Sequence, residues 1–243
     1  MSFLDCVNCP LRIKPLFVPF TDEELRFMRS FKIGEVDVPA GGTVVNEGEQ
    51  TDHLFTVLQG MGTRSVLLED GRRQVINFVF PGDFVGLQAT LMGEMKHTVR
   101  AITPMRLCSF ARKRLWEMFR DQPARAYDLT WIAAVEEHFL GENIATLGQR
   151  DATERMSWAL LRIWRRLQAV GLVRGTTVPL PFRQQDVADA LGLSLVHTNK
   201  TVARLRRDGL AIWSGGQLTV PDLERLARAA GIENLREVVR PIL

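Results

Sequence analysis

Between Ile33 and Phe110 apolar and polar positions alternate in short runs that end at glycine-bearing turns. Alternation of this kind, bounded by Gly, Pro, Asn and Asp, is the pattern of half-buried strands. It predicts strands at Gly34–Val38, Thr43–Asn46, Leu54–Leu58, Arg64–Leu68, Val75–Val79, Thr98–Ile102 and Leu107–Phe110. The turns between them are Pro39-Ala40-Gly41-Gly42, Asn46-Glu47-Gly48, Gln59-Gly60, Glu69-Asp70-Gly71 and Pro81-Gly82-Asp83, all rich in residues that favour tight reversals. Many short strands at near-regular spacing predict a small barrel or sandwich.

Beyond Phe110 the period changes to that of a helix. Lys113–Phe119 is expected to be a short helix, and Pro123 can open a longer one because its missing N–H costs little there. Leu129, Ile132, Ala133, Val135, Phe139, Leu140, Ile144 and Leu147 recur at three- and four-residue steps. The stripe is wider than a coiled-coil seam needs. It fits a helix packed on its own domain and on a second copy of the chain; burial on its own domain alone is the alternative. Asp151 and Glu154 have the spacing of a capping box. The helix they open turns Met156, Trp158, Ala159, Leu160, Ile163, Trp164 and Leu167 inward, leaves Arg162, Arg165 and Arg166 outward, and stops near Gly171. These patterns divide the chain into residues 1–122, a strand-rich domain; 123–150, a long helix with a hinge at Gly148–Asp151; and 151–243, a second domain.

The stretch from Phe182 to Gly209 is the most informative. Val187, Ala188 and Leu191 give a short helix one apolar face, Gly192 supplies a turn, and Ser194 can cap a second helix. On that helix Thr198, Val202 and Leu205 fall on the inner side, while Val196, Asn199, Lys200 and Ala203 share the outer one. Two short helices joined by a Gly turn make a helix-turn-helix, whose second helix enters the major groove. Asn199 can pair with adenine, Lys200 can donate to guanine, and Val196 can meet a thymine methyl, with Ala203 completing the base-facing row. Ser194, His197, Arg204 and Arg207 suit phosphates, which position without reading sequence. Ala211–Trp213, Ser214-Gly215-Gly216 and Gln217–Val220 then form a hairpin, the wing of a winged helix. A helical hairpin inside an enzyme, with the strand-rich domain fused to it, and an adaptor that uses the helical stripe merely to dimerise are the competing readings.

Composition narrows the choice. The chain has 243 residues, 46% hydrophobic and 24% charged, values that exclude disorder, collagen-like repeats and a disulfide scaffold. No apolar run reaches the roughly 18–20 residues of a membrane span, and the N-terminus lacks a secretory pattern. Three cysteines, an odd number, fit a reducing cytoplasm. The formal net charge is only +3, but it is unevenly spread. Residues 150–243 hold 15 basic and 9 acidic residues, leaving 16 basic and 19 acidic for residues 1–149. The basic surplus therefore lies with the helix-turn-helix, as double-stranded DNA as partner requires. No Gly-x-Ser-x-Gly motif, phosphate loop or spaced carboxylate pair points to catalysis, so the chain is not expected to be an enzyme.

The ordered set of these features resembles the CRP/FNR superfamily of bacterial transcription regulators. The likeness runs through the glycines of the strand region, Pro81-Gly82-Asp83-Phe84-Val85-Gly86, the long helix, Ala152-Thr153-Glu154-Arg155, and Gly192-Leu193-Ser194 through Gly209. It implies an α+β architecture: an N-terminal β-roll sensor related to cyclic-nucleotide-binding domains, a dimerisation helix and a C-terminal winged helix-turn-helix. It also implies a homodimer reading a palindromic operator, with RNA polymerase as a further partner. At the reading positions the chain departs from the best-known members: Val196 stands where Glu is usual, Asn199 where Ser or Gly is usual, and Lys200 where Arg is usual.

The resemblance leaves the sensor's signal open. Members that bind cyclic AMP place a Glu after the glycine of a short turn helix and an Arg-Ser or Arg-Thr pair further on. Here Leu87 follows Gly86, and Met95-Lys96 stands where that pair would be. Lys96 or Arg100 could meet a phosphate, but nothing replaces the ribose carboxylate, so cyclic AMP is not expected. Oxygen-sensing members bind an iron–sulfur cluster through N-terminal cysteines and one distant cysteine. Cys6, Cys9 and Cys108 match three of those positions, while Phe17 occupies the fourth. An iron–sulfur centre, a Cys6/Cys9 redox dithiol, or a sensor that binds another signal or none are the alternatives this leaves. His53, His97 and His138 are scattered and form no haem motif.

Overall fold

The computed structural model describes residues 4–233 and 239–243. By their contacts the residues fall into two compact units. One comprises the chain up to Val66, Phe78–Glu137 and the last residues of the chain; the other comprises Leu67–Asn77 and His138–Glu237.

In the first unit Asp5 caps a 3-10 turn at Cys6–Asn8. Thr21 and Glu24 then form a capping box for α1 (Asp22–Phe31). This helix buries only Glu24, Met28 and Phe31, too few apolar positions for its period to stand out in the sequence. The strands are β1 (Lys32–Val38), β2 (Thr43–Val45), β3 (His53–Gln59), β4 (Gly62–Leu67), β5 (Arg73–Val79), β6 (Phe84–Val85), β7 (Thr98–Ala101) and β8 (Met105–Ala111). All seven strands expected from alternation are present, with ends shifted by no more than two residues. The two-residue β6 and the one-turn-and-a-half α2 (Leu87–Met92) were too short to show a period. Two four-stranded sheets, ordered β1-β8-β3-β6 and β2-β7-β4-β5, form the β-roll. Their inner faces meet in an apolar core that includes Val38, Val45, Phe55, Val57, Val79, Val85, Met95, Val99 and Leu107. Burial of a side chain of this kind stabilises by about 1.5–3 kcal/mol.

A 3-10 turn at Arg112–Arg114 leads into α3 (Leu115–Asp121), which is followed by α4 (Pro123–Gln149). The first turns of α4 bury Ala126, Leu129 and Ile132. The buried Arg125 pairs with Glu24 at 3.0 Å and Asp128 at 2.6 Å, fastening α4 to α1. Further along, Val135, Leu140 and Ile144 are exposed, Ile144 at 72%.

Residues 240–243 return to the first unit. The Val18 amide donates to the Arg240 carbonyl and the Arg240 amide to the Leu16 carbonyl, at 2.9 and 2.8 Å. Arg240 also pairs with Asp83 at 3.1 Å, and Ile242 and Leu243 are buried. The sequence pattern gave no sign of this docking.

The second unit begins within α4, so the division of contacts falls between Glu137 and His138, although the helix itself breaks where the capping box predicts. Asp151 accepts from the Thr153 and Glu154 amides and opens α5 (Ala152–Ala169), whose seven expected inward residues are all buried. Arg162, expected outward, is half-buried: it lies over the stacked rings of Phe139 and Trp158 and pairs with Glu142. The remaining elements are β9 (Thr177–Pro179), α6 (Gln184–Leu191), α7 (Leu195–Arg207), β10 (Ile212–Ser214), β11 (Gln217–Thr219) and α8 (Leu223–Ala229). The wing hairpin β10–β11 turns at Gly215 and Gly216, both at positive φ, where residues with a Cβ are strained. It gains a third strand, β9, that the sequence did not announce.

Candidate nucleic-acid interface

Three local features aim α7. Gly192 ends α6 in the left-handed region at φ +61; the Ser194 hydroxyl accepts from the His197 amide at 3.2 Å; and Thr198, Val202 and Leu205 are buried beneath the helix. The outer residues Val196, Asn199, Lys200 and Ala203 are all exposed, as a groove-facing row must be. Ser194, His197, Arg204 and Arg207 are exposed as well.

Asn199, Ala203 and Arg207 line a concavity of about 480 Å³ together with Gln184, Val202, Arg206 and Trp213. Gln184, Arg206 and Trp213 are residues that sequence reasoning missed. Arg206 lies in the basic cluster that marks the end of α7, and an aromatic on the first wing strand was the available signal for Trp213. The Gln184 side-chain oxygen is buried without a hydrogen-bond partner, an acceptor that binding could satisfy. Arg204 is tied down more than its charge alone suggests: it donates to the Thr153 hydroxyl at 3.3 Å and lies 3.7 Å from Asp208, which also sits 3.6 Å from Arg207.

Of the four residues expected on the effector side, Gly86 is buried, while the two basic ones are exposed and engaged with neighbouring groups. Gly86 shapes the chain: it enters α2 at φ +103, and a Cβ there would come 2.9 Å from the His53 carbonyl oxygen. Leu87 begins α2. Lys96 is exposed and paired with Glu94, and Arg100 is exposed, donating to the Gly41 carbonyl at 3.0 Å. It is Met95, next to Lys96 in the chain, that is buried in the core. Strand alternation explains the outcome, because Arg100 lies between the buried Val99 and Ala101.

The roll does hold buried polar groups. Arg64 donates to Glu136 on α4 at 2.9 Å and to the Phe84 carbonyl at 3.1 Å. His97 is buried, and its Nε2 has no hydrogen-bond partner. Burial, with the Arg64 charge adding to it, pushes the His97 pKa down to about 3.

The three thiols converge. Cys6, Cys9 and Cys108 line one cavity of about 30 Å³ with Arg12, Phe20, Met28, Thr56 and the docked Ile242 and Leu243. That is room for about two waters. Burial pushes the Cys108 thiol up to about 12 and raises Cys6 too, with Lys32 opposing the shift in both. Among the described residues no group of three or more His, Cys, Asp or Glu side chains is arranged to hold a metal ion. The residues do not fit a four-iron cluster: there are three thiols rather than four, and the cavity they line is too small.

Comparison with known proteins agrees with this arrangement. Residues 35–122 match the cyclic nucleotide-binding domain and residues 154–229 the Crp-like helix-turn-helix domain. The chain is 31% identical over 230 residues to the transcriptional activator protein FnrL of Cereibacter sphaeroides, covering 93% of this chain and 92% of FnrL. It is 32% identical over 212 residues to the nitrogen fixation regulation protein FixK of Bradyrhizobium diazoefficiens, covering 87% of this chain and 88% of FixK. The solved structure of FixK2 from Bradyrhizobium japonicum superposes with a TM-score of 0.74 at 26% identity, covering 82% of this chain and 98% of FixK2. With a β-roll, a long helix and a winged helix-turn-helix in family order, the chain belongs to the CRP/FNR superfamily and is a DNA-binding transcription regulator.

Proposed function

We propose that the protein works in the cytoplasm as a homodimer that reads a palindromic operator and acts on transcription through RNA polymerase. Residues 1–122 form its sensor, 123–150 its dimerisation helix and hinge, and 151–243 its DNA-reading domain. Val196, Asn199, Lys200 and Ala203 face base edges, while Ser194, His197, Arg204 and Arg207 meet phosphates. The carrying observation is the exposed row on α7, set on a capped and buried-side-packed helix beside a three-stranded wing. The exposed Leu140 and Ile144, four residues apart on one face of α4, support the dimer, since a second copy of that helix would cover them. Two recognition helices would then meet successive major grooves about 34 Å apart.

The sensor does not use cyclic AMP in this reading. Leu87 offers no carboxylate for a ribose, and Lys96 and Arg100 are turned to the outside of the roll. Binding selection from a random duplex library tests the proposal. Enrichment of an inverted repeat, with affinity unchanged by added cyclic AMP, is expected; failure to enrich any duplex would overturn it.

A further inference from the structure

We propose that Arg73 is a positioning residue for DNA reading: from the tip of the β4–β5 hairpin it grips α6, the first helix of the helix-turn-helix. Its Nε donates to Asp189 at 2.9 Å, and its Nη2 donates to Asp186 at 2.6 Å and to Asp189 at 2.7 Å. Beside it the Gln74 side chain donates to the Ala190 carbonyl at 3.3 Å, and on the same hairpin the Ile76 carbonyl accepts from Asn143 at 3.5 Å. The proposal rests on the DNA-binding reading above and concerns what holds that reader in place.

Asp186 and Asp189 are spaced i,i+3 and so share one side of α6. All four of their carboxylate oxygens are used. The Asp186 oxygen that does not face Arg73 accepts from the Arg183 amide at 2.9 Å and closes the N-terminus of α6, and the second Asp189 oxygen accepts from Gln185. The Asp186 side chain is only 6% exposed. Without the guanidinium a nearly buried carboxylate would lose its countercharge, which is costly. A planar guanidinium with several donors fits two carboxylates at once; an ammonium does not.

The grip leaves the reader free. Gln184 at the start of α6 lines the concavity with Asn199, Ala203 and Arg207, whereas Arg73 holds Asp186 and Asp189. Because α6 passes to α7 through the single turn Gly192-Leu193-Ser194, fixing α6 fixes the direction of α7. The hairpin tip Leu67–Asn77 belongs by its contacts to the unit that reads DNA, while the strands it joins continue into the β-roll sheet.

The test uses the full-length protein and the duplex that the unmodified chain enriches from the random library. R73A and D189N should each weaken binding about tenfold or more, with the dependence on salt unchanged, because no phosphate contact is lost. R73K should fall between them and the unmodified chain. The charge-swapped pair R73D/D189R should recover affinity relative to R73D, a rescue that a mere loss of folding would not show. Unchanged or tighter binding by R73A and D189N would overturn the inference. So would a salt slope shallower by about one unit, which would mark Arg73 as a phosphate contact instead. Failure of the unmodified chain to enrich any duplex would sink the DNA-binding reading and this inference together.

Discussion

Lowering the pH should destabilise the β-roll through His97, well before the carboxylates are protonated. The ring is 5% exposed, its Nε2 has no partner, and its pKa in the folded chain is about 3. An unfolded chain takes up that proton near pH 6.5. Since the folded pKa is the lower of the two, the contribution is complete above about pH 6.5 and is lost as pH falls toward 3. The limiting slope is about 1.4 kcal/mol per pH unit, which amounts to about 2 kcal/mol at pH 5. That is a visible fraction of the roughly 5–15 kcal/mol that holds a typical domain together. Asp5, Asp37, Asp70, Glu117 and Asp121 all have lowered pKa values from nearby hydrogen bonds and arginines. Their contributions are lost only as pH falls through the ordinary carboxylate range, below about pH 5. The raised pKa of the partly buried Asp128 acts with the opposite sign, so a fall in stability between pH 7.5 and 5 reports the histidine. Urea unfolding of the full chain across that window should show stability falling with pH, and His97→Leu should flatten the fall. Parallel curves for the two proteins would show that His97 does not carry the fall.

Three further outcomes follow from named contacts. Lys200→Ala should cost about 1–3 kcal/mol of specific affinity and relax one base position, while Arg207→Ala should weaken all duplexes alike and flatten the salt slope, as competition binding on matched and mismatched duplexes would show. Removing residues 240–243 should open the cavity over Cys108 and raise its rate of alkylation by a maleimide at least tenfold, followed by mass spectrometry; an unchanged rate would mean that the docked segment does not protect the thiol. Ile144→Glu should place a charge on the exposed stripe of α4 and shift the protein from dimer to monomer in analytical ultracentrifugation, with no change if that stripe faces water.

Much of the architecture was legible because strands and helices of useful length repeat with their own period. Val75–Val79 and Thr98–Ile102 announce themselves, and so does the row Thr198, Val202 and Leu205. The short pieces β6, α2 and β9 hold too few residues for any period. In the reader the exposed residues followed from helix geometry alone, but Gln184 and Trp213 joined them through packing of separate elements. The sensor shows the same limit from the other side. The family resemblance offered Arg100 as a phosphate contact, yet alternation between Val99 and Ala101 turns it outward. The Arg73 grip joins residues 113 and 116 positions apart, and the docking of Ile242 and Leu243 over the thiols spans most of the chain. Neither leaves a periodic trace.

The central claim is that two copies of α7 read one operator together. Band shifts on the selected duplex test it most directly, comparing the native half-site spacing, a spacing lengthened by about five base pairs, and a single half-site. Half a helical turn places the second site on the opposite face of the DNA. Tight binding is expected at the native spacing, with a loss of at least a hundredfold in the other two. Equal affinity for all three duplexes would contradict it.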